Sequence, residues 1–422
     1  MNKTSIIILD QQSWRGGGQR ALGHVLASLE EDFRLTVVFP DGGPFQRELQ
    51  DRGYETLICP LGSYQPGRKS WREKAAFAIR SALCAFRLTS AIIARKSGLI
   101  YVNGPRCLPF GVAASWLTQT PVLFHLHNAL SRRSDILLVS RLARHVEKIV
   151  VCSNAAADCL LKASPELKAK IVLVRNCVHQ APRNVEPAAL EGSPSRETRF
   201  TIGIVGRITE DKGHHILLKA VAGLRPETRD QLRLLFVGGP GPECPRDEAY
   251  VYRLKSLAYE MRLEGRIVWA GHQLDVEPYY RLMDVVAIPS TAIEGGGPTM
   301  VALEAMQRGI PVIVSGCGGN AECLRDNIDA LVVPPGDANA LAFALTRMFK
   351  DSGLRQRLAV AARQTIDQQF SPVVFSSAIH QLVSEVCLPV KEDEPALKIA
   401  GQPKPSNQEL LPQRPIRYSG SP

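Results

Sequence analysis

The chain has 422 residues, 45% of them apolar, with 51 Lys and Arg against 41 Asp and Glu, which is enough for two domains with separate cores. Its longest apolar runs, such as residues 5–9, are expected to be far too short to span a bilayer, and its ten scattered cysteines show no C-x-x-C spacing, which argues against a disulfide scaffold or a zinc-cysteine site. The positive excess is confined to one half: residues 1–185 hold 25 basic and 13 acidic side chains (net +12), and the remainder 26 and 28 (net −2).

Such asymmetry predicts that the first half faces something anionic, a membrane surface or an acidic acceptor. Nucleic acid is not an expected partner, because no recognition motif and no basic strip interleaved with stacking aromatics is present. The first residues lack a basic segment, a long apolar stretch and a cleavage site. No signal peptide is therefore expected, and the cytoplasm, including the inner face of the membrane, is the expected location.

The first predicted strand covers residues 5–9. The stretch "SWRGGGQRALG" follows at residues 13–23, ahead of a helix-like run at 21–29. Gly16, Gly18 and Ala21 fit the G-x-G-x-x-A pattern of dinucleotide-binding loops, but Asp10 to Arg15 intervene between strand and glycine, which weakens that reading. A flexible surface turn is the plain alternative. A close approach of backbone to a phosphate or sugar at a helix N-terminus is the functional one. Further strands are predicted at 35–39, 99–103, 121–125 and 148–152, alternating with helical stretches. This is the pattern of a parallel sheet covered on both faces. Between them, residues 64–98 hold eight Lys and Arg against one Glu, with Trp71, Phe77 and Phe86 interspersed. They read either as a basic amphipathic helix suited to anionic lipid or as an ordinary solvated face.

Residues 1–185 are assigned to the first domain and the polar segment 186–198 to a linker. A second alternation follows in a domain at 199–370, with strands at 200–205, 232–237, 266–269, 285–289, 311–314 and 330–333. Residues 371–388 are expected to form a helix returning to the first domain. Residues 389–422 hold seven prolines and few large apolar side chains, and are expected to be a disordered tail.

Two motifs in the second half carry chemistry. "GIVGRITEDKGHHILLKA" starts at Gly203 and places Arg207 and Lys212 in a strand-to-helix loop, with Asp211 as the expected N-cap. A lysine in a first helical turn opposes the helix dipole, but a bound anion would turn the amides, Lys212 and Arg207 into one site. Two solvated loop cations are the alternative. "AIEGGGPTMVALEAMQRGIPVIVS" starts at Ala292. Pro298 is expected at the first helical position and Gly309 just past the end of a short helix. On that helix, Glu304 either pairs with Arg308 one turn on or accepts hydrogen bonds from two hydroxyls of a ribose.

With these motifs the chain resembles the retaining glycosyltransferases of family four. The resemblance covers roughly residues 1–388. It rests on "GGGQRA", on "HLHNA" at 125–129, on "GRITEDKGHH", "LFVGGPGP", "IVWAGHQLDVEPYYRLMDVVAIPS" and "EGGGPTMVALEAMQRGIPVIVS", and on "GGNAE". It implies an α/β chain of GT-B type, two Rossmann-like doubly wound domains facing each other across a cleft. It further implies that Arg207 and Lys212 grip the diphosphate of a nucleotide sugar and that Glu304 holds the ribose. Backbone at Gly297, Pro298 and Thr299 would face the phosphates or sugar. Glu294 would contact the donor sugar, His127 would sit beside it, and Gly16, Gly17 and Gly18 would close over it.

One spacing departs from the family, which places seven residues between its two glutamates; here nine separate Glu294 from Glu304. Either the glycine loop is longer, or Gly296 stands where the first glutamate would be. Glu322 is either a further sugar contact or an ordinary loop carboxylate.

No Asp-x-Asp stands at a strand end, so no essential metal and no cofactor is expected. Retention at the anomeric carbon follows from the resemblance. The expected reaction moves a sugar from a nucleotide-diphosphate donor to a lipid-linked or envelope saccharide. A non-catalytic saccharide-binding protein and a nucleotide-sugar epimerase share the fold and stay open as alternatives.

Overall fold

In the computed structural model, residues 3–14, 16–61, 70–130, 132–178, 199–241, 244–291 and 297–387 are described. The tail 389–422, the linker 186–198, Glu294 and Gly296 lie outside them.

The first sheet has seven parallel strands: β1 (Thr4–Asp10), β2 (Phe33–Phe39), β3 (Glu55–Ile58), β4 (Ser97–Asn103), β5 (Val122–Leu126), β6 (Lys148–Val151) and β7 (Ile171–Leu173). Their spatial order is 3-2-1-4-5-6-7. The second sheet has six: β8 (Phe200–Val205), β9 (Leu232–Val237), β10 (Ile267–Gly271), β11 (Val285–Ile288), β12 (Val312–Ser315) and β13 (Leu331–Val333). Their order is 10-9-8-11-12-13, the same winding. Central strands are buried on both faces, which is why Ile6 to Leu9 and Leu232 to Val237 read as unbroken apolar runs. β3 and β7, absent from the sequence reading, are the short edges.

Each sheet reverses direction next to its first strand, between β1 and β4 and between β8 and β11. Ligands of doubly wound sheets bind at such reversals, beyond the carboxyl ends of the strands. Asp10 and Asn103 end β1 and β4, in register with each other.

The helix Pro372–Cys387 packs on the helix Gly17–Leu29. Phe375, Ile379, Leu382 and Val383 enter the same core as Leu22, Val25 and Leu26 of the first domain. Ser28 also donates to Ser376 at 2.8 Å.

Candidate active site

The loop after β8 is tied to the end of β11. Gly213 has φ +72°, and a Cβ there would lie 1.9 Å from the Pro289 carbonyl oxygen, so only glycine allows this approach. Thr291 N–H donates to the Asp211 carbonyl at 2.9 Å. The helix His214–Ala222 therefore starts from Gly213, and Asp211 lies in a 3-10 turn, Glu210–Lys212, instead of capping it. Asp211 does not cap because the helix begins two residues further on, from Gly213. Arg207 is exposed and Lys212 half-buried on this loop. His214 behind it is buried, and burial lowers its pKa to about 3, so it adds no charge near neutral pH.

The helix bearing Glu304 spans Met300–Gln307 with Thr299 at its N-cap, so Pro298 precedes the cap and is not the first helical residue. Thr299 N–H donates to Asn320 Oδ1 at 3.0 Å, and a Cβ on Gly319 would fall 2.0 Å from the Gly297 carbonyl carbon. The end of the glycine loop is thus packed against the helix Gly318–Cys323. Gly309 has φ +70° just past the helix end, as its position in the sequence implies.

Glu304 does not use its side chain on Arg308. Its Oε1 accepts from Arg20 of the first domain at 2.6 Å and its Oε2 from the Tyr280 hydroxyl at 2.9 Å. Arg308 instead turns to the buried Glu277, with Nε 2.7 Å from Oε2. Glu322 likewise reaches the first domain: it accepts from the Asn154 and Ala155 backbone N–H groups at 2.8 and 3.3 Å, and from Asn154 Nδ2 at 3.1 Å. In this structure it caps the helix Asn154–Leu161. Its oxygens are spent on donors of a helix N-terminus.

The triple glycine is also corrected in form. Gly16 is an extended N-cap, and Gly17 and Gly18 are the first turn of a helix rather than a loop. A Cβ on Gly18 would touch His127 Cδ2 at 3.4 Å, whereas one on Gly17 would meet open space. His127 is buried beyond β5, and burial lowers its pKa to about 4. Its carbonyl accepts from the Cys152 thiol at 3.1 Å, and Cys152 Sγ lies 3.6 Å from a Cβ built on Gly297. Gly18, His127, Cys152 and Gly297 are therefore successive neighbours across the two domains, and Arg20–Glu304 is a second crossing. Glu294 and Gly296 lie outside the described residues. Among the described residues, no cluster of three or more His, Cys, Asp or Glu could hold a metal ion.

Arg20, Asn320, Tyr280 and Cys152 escaped the sequence reading. Arg20 had one local signal, its place in the first turn of the helix that the glycines open.

Known proteins with similar sequence and shape point the same way. The family "Glycosyl transferase 4-like domain" matches residues 16–177, and "Glycosyl transferases group 1" matches residues 186–365. The lipopolysaccharide core biosynthesis glycosyltransferase LpsE of Rhizobium meliloti is 34% identical over 180 residues, 43% of this chain and 48% of that protein. A D-inositol 3-phosphate glycosyltransferase of Stackebrandtia nassauensis is 35% identical over 173 residues, 39% of this chain and 37% of that one. The chain thus spans about half or less of these relatives' length. In shape, Anabaena HepE in complex with UDP and glucose aligns with a TM-score of 0.74 at 23% identity, over 90% of this chain and 99% of that one. A glycosyltransferase from Rickettsia africae gives 0.76 at 20% identity, over 92% and 100%. The two domain matches together take in the second sheet and all of the first but β1, in the order that the fold requires, and the chain belongs to the family-four glycosyltransferases of GT-B fold.

Proposed function

We propose that the protein transfers a sugar, with retention of configuration, from a nucleotide-diphosphate sugar to a lipid-linked or envelope saccharide. The observation that carries the donor half is the tethering of the Arg207–Lys212 loop to the end of β11 at the switch point of the second sheet. In the reaction, the bond between anomeric carbon and diphosphate breaks, and negative charge grows on the leaving phosphate. Arg207, Lys212 and the amides at Gly297 to Thr299 are the groups suited to receive it. Glu304 offers a carboxylate for the ribose hydroxyls. The leaving phosphate helps to deprotonate the acceptor hydroxyl on the same face, so no dedicated carboxylate base and no essential divalent metal is needed. HepE, solved with UDP and glucose, supports the nucleotide-sugar reading through a shared fold.

The acceptor half rests on the helix Trp71–Arg95. Its inner face, with Cys84, Leu88 and Ile92, joins the first-domain core. Its outer face carries Ile79, Leu83, Phe86 and Ile93, each between 62% and 72% exposed, flanked by Arg80 and Arg87. An apolar stripe opposite the core and bordered by arginine suits the interface of an anionic membrane, where a lipid-linked acceptor would be met. LpsE is named for lipopolysaccharide core biosynthesis, a setting of the same kind.

The test is a panel of nucleotide sugars. Thermal shift selects the donor, and NMR follows its anomeric signal with and without membrane extract. Transfer with the donor's configuration kept, and undiminished by EDTA, is the expected result. Isomerisation of the sugar without acceptor would mean an epimerase, binding without turnover a non-catalytic protein, and inversion a different mechanism.

A further inference from the structure

At the switch point of the first sheet, a chain of buried polar side chains runs from β1 to His127. Asp10 Oδ1 accepts from the Gln12 backbone N–H at 2.9 Å and from Gln19 Nε2 at 2.8 Å. Asn103 Nδ2 donates to Asp10 Oδ2 at 2.8 Å, and His127 Nε2 stands 2.6 Å from Asn103 Oδ1. Asp10, Gln19 and Asn103 are each 1% exposed and His127 is 8% exposed. Strand register explains the geometry: Asp10 pairs with Asn103, and Asn103 pairs with His125, two residues before His127.

Donors and acceptors along this chain are not interchangeable. A backbone N–H only donates, so Asp10 Oδ1 must accept. While Asp10 is ionised, Oδ2 accepts too, and Asn103 must turn its NH2 towards it. The Asn103 oxygen then faces His127 and accepts, so the His127 proton sits on Nε2. In a neutral ring this leaves Nδ1 as a bare acceptor. Nδ1 is buried and meets no hydrogen-bond partner among the described residues.

We propose that Asp10 is a positioning residue that acts through Asn103 to hold His127 in its Nε2–H tautomer, so that Nδ1 accepts a hydroxyl of the bound donor sugar. The sugar contact rests on the proposed function; the tautomer does not. A proton taken from solvent onto Asp10 Oδ2 reverses the chain. Oδ2 then donates, the Asn103 amide turns over, its NH2 faces Nε2, and the imidazole proton moves by solvent exchange to Nδ1, which can no longer accept.

Burial pushes the Asp10 pKa up to about 6 and keeps His127 neutral above about 4, so the reversal falls in an accessible window. The titratable and charged groups around Asp10 among the described residues are Cys107 and Arg106 from the turn after β4, His125 on β5 and His127 just past its end. Burial raises the Cys107 thiol well above its ordinary range and lowers His125 well below its own, so both are neutral across the window. Arg106 binds the Gln11 carbonyl at 3.2 Å.

The test is the nitrogen spectrum of protein labelled with 15N-histidine, with the His127 signals assigned by their loss in His127→Gln. At pH 7.5, His127 is expected as the Nε2–H tautomer, and titration to pH 5 should convert it to Nδ1–H with a midpoint near Asp10's. Asp10→Asn must give its oxygen to Gln12 and its NH2 to Asn103. It should therefore show Nδ1–H at every pH, with kcat about tenfold lower, the worth of one hydrogen bond, and no acid limb below pH 7. Asp10→Asn/Asn103→Asp returns an acceptor to Nε2 and should restore the first tautomer. A wild-type His127 that keeps Nε2–H down to pH 5 overturns the relay without any variant. So does an Nε2–H signal in folded Asp10→Asn, or a double variant that does not revert. If the tautomers behave as expected but no sugar is transferred by wild type, the relay stands and the proposed function fails.

Discussion

In the first sheet the polar groups at the switch point face one another. Asp10, Asn103 and His127 are buried and joined by hydrogen bonds; desolvation keeps His127 neutral near pH 7 and raises the Asp10 pKa to about 6. In the second sheet, wound in the same order, the corresponding loop turns its cations outward: Arg207 is exposed, Lys212 is half-buried, and the buried histidine behind them carries no charge near neutral pH. One topology thus supports two kinds of site. A network that satisfies itself can orient a group but has little charge to offer. An outward cation loop carries its charge where an anion can meet it.

The contrast breaks first under mutation. Arg207→Ala and Lys212→Ala should each cost on the order of 2–4 kcal/mol in the transition state while leaving thermal stability nearly unchanged. Asn103→Leu in the first domain should do the opposite in part. It strands the buried Asp10 and His127 partners and should destabilise folding by about 1–3 kcal/mol. Denaturant melts beside single-turnover rates would separate the two patterns. Equal loss of stability in all three variants would end the distinction.

Stability against pH sharpens it further. His127 and His214 have folded pKa values depressed to about 4 and about 3 from 6.5, so their contribution is present above pH 6.5 and lost as pH falls through those values. Asp10 runs the other way: raised from 3.8 to about 6, its contribution is present below 3.8 and lost as pH rises through 6. Each is worth on the order of 2 kcal/mol between pH 7 and 4.5, so the buried histidines outweigh Asp10 and stability should fall on acidification. His214→Phe, beside Phe236, should remove about one such share from the second domain only. An unchanged pH slope in that variant would show that His214 does not hold its neutral state by burial.

Glu304→Gln should weaken binding of the free nucleotide diphosphate roughly tenfold, about 1.4 kcal/mol, by calorimetry. Glu294→Gln should leave that affinity alone but slow transfer if the longer glycine loop still delivers Glu294 to the sugar. Normal transfer by Glu294→Gln would place Gly296 in the glutamate's position. The smallest effect belongs to the outer surface of the first domain. Arg80→Glu and Arg87→Glu should each weaken binding to anionic vesicles by about 1 kcal/mol without altering nucleotide affinity. Vesicle binding that ignores both charges would return the helix to a plain solvated face.

How much of this could be read in the chain follows from how local each signal is. The strands at 200–205 and 232–237 were legible because burial on both faces leaves an unbroken apolar run. β3 was not: it is an edge strand with Glu55 and Ile58 exposed, and nothing in its four residues distinguishes it from a loop. In the site, glycines and loop cations announce themselves within a dozen residues. Arg20 and Asn154, which Glu304 and Glu322 meet in the first domain, lie 284 and 168 positions away, beyond any periodic pattern. For Glu304, the nearby Arg308 offered a pairing that Glu277 takes instead.

Two of the contacts between the domains differ in electrical character. Arg20–Glu304 is an ion pair whose arginine is 49% exposed, so added salt screens it. The contact at Glu322 is a carboxylate on three amide donors, with no cation in it, and responds less to salt. Raising ionic strength therefore loosens one fastening and spares the other. The domain contact at Glu304 would respond to salt, while the contact at Glu322 keeps its hold.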